Sequence, residues 1–226
     1  MENHLKSSAF LTDIVIGMAD GLTVPFALAA GLSGAVTSTS IVTTAGVAEI
    51  VAGSIAMGLG GYLAGQTEVH HYDAELKREY DEVERWPEKE KEEVKEVFAD
   101  YGLSEDAQNQ IIEQLSKDKD KWVDFMMRFE LGLEKPDINR ARKSAFNIGA
   151  SYVLGGFVPL IPYFFTENIY TGLKYSAIFT IIALFIFGYF KSKITGQHPI
   201  FGALKVTGIG IVAATAAFLI AKWIGG

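Results

Sequence analysis

The sequence predicts an all-α membrane protein with five transmembrane helices and a helical polar insert between the second and third. Of its 226 residues, 49% are hydrophobic, and five apolar runs reach the length of about 20 residues that crosses a bilayer. Charged residues are concentrated elsewhere, since residues 65–140 hold 22 of the 27 acidic and 12 of the 20 basic residues. We therefore predict three parts: residues 1–65 with spans one and two, the insert at 66–140, and residues 141–226 with spans three to five.

The apolar runs set the bounds of the spans, and the short loops set their orientation. The predicted spans are residues 10–36, 39–65, 145–165, 170–190 and 199–221. Basic residues precede spans one and three and follow span four: Lys6, Arg140, Arg142, Lys143, Lys191 and Lys193. Because cytosolic loops carry the excess of basic residues, the N-terminus and the insert are predicted to be cytosolic and the C-terminus to face the lumen or the exterior. The absence of cysteine excludes disulfides and thiolate metal sites.

Span one carries an acidic residue near its middle. Counted from Phe10 at about 1.5 Å per residue, Asp20 lies roughly 15 Å deep in the hydrocarbon. A carboxylate at that depth is costly unless it is protonated, paired or bound to a cation, so an ion or proton pathway is the first hypothesis. Gly21 and Pro25 follow Asp20, and both residue types are tolerated in membrane helices where neighbours or a cavity satisfy the loosened backbone.

Span two brings a second acidic residue to a similar depth. Glu49 lies about ten residues from the lumenal end, and Met57 follows on the same face, nearer the cytosol. Asp13 lies seven residues before Asp20 and closer to the cytosol. Carboxylates with a thioether suit a borderline cation such as ferrous iron, so these four residues are the predicted transport path. The alternative is that Asp20 and Glu49 are protonated, hydrogen-bonded packing residues.

Other polar and small residues in the spans are interpreted as packing residues. Small side chains at intervals of four on span two form a ridge that permits close helix contact: Ala48, Ala52, Ala56 and Gly60. Asn147 in span three is interpreted as a helix-contact residue rather than a ligand.

The insert is predicted to fold as three or four amphipathic helices. The helix of span two continues to Arg85, and Pro87 begins a second helix that ends near Gly102. A third helix starts at Ser104 with an acidic first turn, and a last helix covers residues 118–131 before Gly132. Three short apolar stripes are the candidate core: Val94, Val97, Phe98 and Tyr101; Ile111, Ile112 and Leu115; Trp122, Phe125, Met126, Phe129 and Leu133.

Carboxylates of the insert recur at helical spacing. They are Glu75, Glu79 and Glu82, then Glu90 and Glu93, with Met127 and Glu130 on the last helix. Inward carboxylates on facing helices bind divalent iron or manganese, and a thioether adds a softer ligand. The alternative is a solvated face with ion pairs such as Glu92 with Lys95, and spacing alone favours it. By the same reasoning Met126 is a core residue, and His70 and His71 are surface histidines.

Three stretches resemble the vacuolar iron transporter family of plants, fungi and some parasites. They are DGLTVPFALAAGLSGA (20–35), AEIVAGSIAMGLGGYLAGQTEVHHY (48–72) and NIGASYVLGGFVPLIPYF (147–164), and the likeness continues through the insert. The resemblance implies a homodimer with five spans per subunit and a cytosolic helical metal-binding domain between spans two and three. It also implies a multi-pass protein of the vacuolar membrane.

The resemblance further implies proton-coupled antiport of ferrous iron from the cytosol into the vacuole, with manganese and other divalent metals as secondary substrates. Matched by position, the transport path includes Asp20, Glu49 and Met57. The implied metal ligands of the insert are Glu79, Glu82, Glu90, Glu93, Met126, Met127 and Glu130, and their presence reverses the preference for a solvated face. The expected partners are ferrous iron, protons and the bilayer, with zinc, manganese or cobalt as further bound ions. No prosthetic group and no nucleic acid are expected.

Two functions of other classes compete with transport. A membrane-bound di-iron oxidase needs two Glu-x-x-His motifs, and the chain has one, at Glu68 to His71, so an enzyme is not expected. A membrane-tethered module that binds metal or a partner without transport is the second alternative. Such a module has no use for Asp20, Glu49 and Met57 in the membrane.

Overall fold

The computed structural model describes the backbone of residues 2–225 and the side chains of residues 9–225. The helices are α1 (Glu2–Ala35), α2 (Thr39–Arg85), α3 (Pro87–Asp100), α4 (Glu105–Leu115), α5 (Lys119–Phe125), α6 (Arg140–Phe164), α7 (Ile169–Ile194) and α8 (Pro199–Gly225). A π-helical turn, Met126–Glu130, continues α5. The chain forms two units: Ala64–Arg140, which contains the insert, and a membrane unit made of the segments before and after it.

Five of the described helices are long and apolar enough to cross a membrane. They comprise Ala9–Ala35 of α1, together with α2, α6, α7 and α8. The prediction of five spans is thereby confirmed at the level of length and composition, and the predicted bounds fall within these helices or at their ends. The side chain of Lys6, which contributed to the predicted orientation, lies outside the described part.

Helix α6 packs against both α1 and α2 through glycines. A Cβ added at Gly17 of α1 would lie 2.2 Å from the carbonyl oxygen of Ile148, so the two backbones are in direct contact there. A Cβ added at Gly46 of α2 would lie 2.5 Å from the side chain of Leu160. On its other side α1 packs against α7 and α8. This close packing fixes which residues of α1, α2 and α6 meet in the middle of the unit.

The predicted small-residue ridge of α2 has no role in this packing. Its members Ala48, Ala52, Ala56 and Gly60 are all exposed in the single chain. Gly46, Gly53 and Gly61 take the contacts with α6 instead. Helix α2 therefore presents the predicted ridge outward, away from the other helices of the membrane unit.

Two loops are joined at one end of the membrane unit. Ser38, between α1 and α2, forms an isolated antiparallel bridge with Asn168, between α6 and α7. The side chain of Asn168 also caps α7 by accepting hydrogen bonds from the backbone N–H groups of Tyr170 and Thr171, each at 3.0 Å. The loop between α1 and α2 and the loop between α6 and α7 thus lie at the same end.

The insert follows the predicted order of helices, with local differences. Gly102 and Gly132 adopt φ of 77° and 64°, values that favour glycine, and they end α3 and the π-helical turn as predicted. Asp118 caps α5 by accepting a hydrogen bond from the backbone N–H of Lys121 at 3.3 Å. Ser104 precedes α4 as predicted, but its side chain makes no capping hydrogen bond.

The hydrophobic core of the insert differs from the predicted stripes at several positions. Its buried residues are Tyr72, Val83, Val94, Ile112, Trp122, Val123, Met126 and Met127. Tyr72 and Val83 belong to α2, and the predicted core contained no residue of that helix. Tyr101 and Phe129 are 74% and 58% exposed, so their predicted core positions are wrong. Tyr101 lies beyond the last turn of α3, and the π-helical turn changes the helical phase that placed Phe129 inside.

Candidate metal and transport sites

Three carboxylates of the insert form a cluster between α2 and α3. Glu79 and Glu82 of α2 and Glu90 of α3 each offer one oxygen, and these oxygens lie within 4.8 Å of one another. Glu79 is 2% exposed and Glu90 is fully buried. Among the described residues, neither carboxylate oxygen of Glu90 has a hydrogen-bond donor. Since buried carboxylates are costly without partners, the cluster has the character of a cation site.

The electrostatics of the cluster follow from burial and repulsion between like charges. Burial, together with the charges of Glu130 and Glu82, raises the pKa of Glu79 to about 7. Burial, together with the charges of Glu93 and Glu79, raises the pKa of Glu90 to about 7. Near neutral pH both carboxyls are therefore partly protonated, and a metal ion has to displace these protons to bind.

The remaining predicted ligands belong to the same unit, and the charges of Glu93 and Glu130 act on Glu79 of the cluster. Met126, Met127 and Glu130 belong to the π-helical turn, which contacts α3. Both methionine side chains are fully buried in the apolar core, and Glu93 is half-buried. Single-turn π-helices recur at functional sites, which fits a cluster of predicted ligands. The structure brings Glu79, Glu82 and Glu90 together, and the full set of seven ligands stays a prediction.

The solvated charged face that spacing alone favoured is also present, on other residues. Lys95 pairs with Glu92 at 3.0 Å, and Lys91 pairs with Glu88 at 2.6 Å. Arg85 pairs with Asp81 at 3.0 Å. His70 and His71 are exposed, as predicted. The insert therefore divides its acids between an outer face of ion pairs and the buried cluster.

Tyr152 of α6 binds Glu49 of α2 and packs against Gly21 of α1. Its hydroxyl donates a hydrogen bond to Glu49 Oε1. A Cβ added at Gly53 would lie 2.5 Å from the hydroxyl oxygen, and one added at Gly21 would lie 2.3 Å from the Tyr152 carbonyl oxygen. Gly21 follows Asp20 along α1, so Tyr152 contacts α2 at Glu49 and the backbone of α1 next to Asp20. Sequence reasoning missed Tyr152, whose only signal is a phenol inside an apolar span that needs a partner.

The second carboxylate oxygen of Glu49, Oε2, is buried and has no hydrogen-bond partner in the described part of the chain. Glu49 also lines a cavity of about 470 Å³, whose other lining residues belong to α1 and α8. These are Thr23, Val24, Ala27, Leu28, Gly31, Leu32, Ala213, Ala217 and Ala221. Glu49 thus presents an oxygen lone pair in a largely apolar setting, where it would bind a proton or a cation strongly.

Asp13 is held by α6. It is 9% exposed, and it accepts hydrogen bonds from Ser144 Oγ at 2.7 Å and from Asn147 Nδ2 at 3.2 Å. Both carboxylate oxygens are occupied in this way, and the interpretation of Asn147 as a helix-contact residue is supported. Asp13 therefore ties α1 to α6, and its place on a transport path stays a prediction. Met57 is half-buried, and its role likewise stays a prediction.

Comparison with known proteins gives one consistent family. The model described as the VIT family matches residues 11–222. Vacuolar iron transporter 1 of Arabidopsis thaliana is 52% identical over 221 residues, which cover 98% of this chain and 88% of that protein. Vacuolar iron transporter 1 of Oryza sativa is 48% identical over 98% of this chain and 88% of its own length. Protein CCC1 of Saccharomyces cerevisiae is 40% identical over 223 residues, 95% of this chain and 69% of that protein.

Proposed function

The chain belongs to the VIT family, and from this premise we propose that it moves ferrous iron from the cytosol into the vacuole in exchange for protons. Manganese and other divalent metals are further proposed substrates. The observation that carries the proposal is Glu49, whose carboxylate has one oxygen bound by Tyr152 and one without a hydrogen-bond partner among the described residues. The names of the similar plant proteins, vacuolar iron transporters, support the metal and the membrane.

Coupling follows from competition at the carboxylates. A proton and a metal ion bind the same oxygen lone pairs, so one displaces the other. We propose that the insert collects the metal in the cytosol and that Met57 passes it to Asp20 and Glu49. A proton from the acidic lumen then releases the metal and resets the site.

The proposed arrangement in the membrane rests on the basic loops and on family membership. The N-terminus and the insert are assigned to the cytosol and the C-terminus to the lumen, because basic residues adjoin the predicted cytosolic ends of the spans. The working unit is proposed to be a homodimer, with the transport path between the α1 helices of two subunits.

Metal uptake into proteoliposomes tests the proposal. Purified protein is reconstituted, and Fe²⁺ uptake is measured with and without an acid-inside pH gradient while the internal pH is recorded. We expect uptake that rises with the gradient and alkalinises the interior. Stoichiometric metal binding without uptake would instead identify a membrane-tethered metal-binding module.

A single substitution separates transport from metal collection. Asp20→Asn removes the charge in α1 and is expected to abolish uptake while the insert still binds metal. Asp100→Asn, at the exposed end of α3, makes the same chemical change and serves as the control. Normal uptake by the Asp20 variant would exclude this carboxylate from the mechanism.

A further inference from the structure

Arg78 lies at the edge of the carboxylate cluster formed by Glu79, Glu82 and Glu90. Its Nη2 is 2.7 Å from Glu75 Oε2 and 3.7 Å from Glu79 Oε1, and its Nε is 3.7 Å from Glu82 Oε2. The Arg78 side chain is 51% exposed, whereas that of Glu79 is 2% exposed. One guanidinium thus reaches from solvent to two members of the cluster.

Lys89 occupies a similar position on α3. Its Nζ is 2.7 Å from Glu93 Oε1 and 3.7 Å from Glu90 Oε1, and its side chain is 61% exposed. The fully buried Glu90 has no hydrogen-bond donor among the described residues. The ammonium therefore offsets the charge of Glu90 from a distance, without a hydrogen bond to its oxygens, while it donates a hydrogen bond to Glu93 Oε1.

The distances determine what these cations do to a bound metal. At 3.7 Å a charge pair is longer than a hydrogen bond, and its Coulomb attraction is screened by water only on the side of the exposed cation, because Glu79 and Glu90 are buried. Each cation stabilises the ionised cluster in the metal-free protein and repels a divalent ion placed at the same oxygens. Because both side chains are more than half exposed, they are able to move into water when the ion arrives.

We propose that Arg78 and Lys89 are displaceable counterions that lower the metal affinity of the cluster and so promote release of the bound ion. This inference rests on the proposed function, in which the insert collects the metal that the spans transport. A collecting site that passes its ion onward has to bind reversibly, and two cations at its edge supply that property.

The test is a Mn²⁺ titration of the full-length protein in detergent, with free Mn²⁺ measured by electron paramagnetic resonance. Arg78→Gln is compared with Arg85→Gln, which removes the same charge from the same helix but breaks only the 3.0 Å pair with Asp81. We expect Arg78→Gln to bind Mn²⁺ about tenfold more tightly, equivalent to about 1.4 kcal/mol, and Arg85→Gln to bind like the wild type. Affinity that is equal in the two variants, or weaker in Arg78→Gln, would overturn the inference.

Further variants separate charge from structure. Arg78→Lys keeps the charge and is expected to retain the wild-type affinity; if it binds as tightly as Arg78→Gln, charge is not the cause and the inference fails. Lys89→Gln is expected to tighten binding relative to Lys91→Gln, whose lysine pairs with Glu88 at 2.6 Å. If circular dichroism shows that Arg78→Gln is unfolded, the comparison of Lys89→Gln with Lys91→Gln tests the inference instead.

The wild-type protein distinguishes failure of this inference from failure of the proposed function. If the wild type binds no Mn²⁺, metal collection by the insert is refuted and the inference falls with it. If the wild type binds Mn²⁺ and the variants at Arg78 and Lys89 match their controls, only the role of the counterions is refuted.

Discussion

Replacing Tyr152 by phenylalanine removes one hydroxyl from the middle of the membrane unit. Phenylalanine retains the ring that packs over Gly53 but leaves Glu49 Oε1 without its donor. Both oxygens of a buried carboxyl would then be unpaired, since Oε2 already has no partner in the described residues. A buried polar group that loses its partner costs about 1–3 kcal/mol. If that cost falls on the transport-competent state, the uptake rate drops by about 5-fold to 150-fold.

The assay is the initial rate of Fe²⁺ uptake into proteoliposomes at a fixed pH gradient. Tyr163→Phe is the matched control, because Tyr163 lies on the same helix, is equally buried and has its hydroxyl 2.8 Å from Ser33 Oγ, remote from the acids. We expect the control to transport close to the wild-type rate. A Tyr152→Phe protein that transports as fast as the control would show that Glu49 does not need this hydrogen bond, and the reasoning from its geometry would be wrong.

The other predictions concern proton binding and helix contact. The pKa values of Glu79 and Glu90 rise from 4.5 to about 7 in the folded protein, so the folded state binds more protons than the unfolded state between these values. Their contribution to the free energy of unfolding is fully present below pH 4.5. It is lost as the pH rises through 7, and the loss is at most about 3 kcal/mol per carboxyl. Metal-free protein is therefore expected to unfold at a higher temperature at pH 6 than at pH 8, and a double Glu→Gln variant should lose this difference in a tryptophan-fluorescence melt. Saturating Mn²⁺ should reverse the order, because the metal binds deprotonated carboxylates. Gly21→Ala is expected to abolish Fe²⁺ uptake, because its Cβ would lie 2.3 Å from a backbone oxygen of Tyr152. Gly60→Ala is the control and should retain uptake, because no atom lies within 4 Å of its added Cβ. Equal uptake by the two variants would contradict the packing described for α1 and α6.

The helices were predictable because their signals are local. Apolar runs, Pro87, Gly102 and Gly132 each act on the backbone within a few residues, and the helices begin and end close to the predicted places. The phase of the last insert helix was not predictable in this way. Its π-helical turn, Met126–Glu130, departs from the α-helical period on which the prediction was based, and Phe129 in this turn is exposed.

The sequence predicted which residues form the candidate sites, but it did not predict which other residues they contact. Helical spacing placed Glu79, Glu82 and Glu90 among the recurring carboxylates, the family resemblance implied that they are ligands, and the structure brings these three together. The hydrogen bond from Tyr152 to Glu49 joins residues 103 positions apart, and no periodicity within one helix encodes such a pair. Likewise, the two donors that hold Asp13 lie on a helix more than 120 residues away along the chain, so its role as a tie between helices appears only in three dimensions.

The same sequence separation has a consequence for how the protein is made. Glu49 is synthesised 103 residues before the tyrosine that binds it, and Asp13 is synthesised 131 residues before Ser144. At about 5–20 residues per second, the first two helices wait roughly 5–20 s for the third span to emerge from the ribosome. During that interval their acids are in the nascent chain without their native donors, while the whole insert is translated. The order of translation therefore makes assembly of the membrane acids a late event, and lesions that delay synthesis of the insert would prolong this interval.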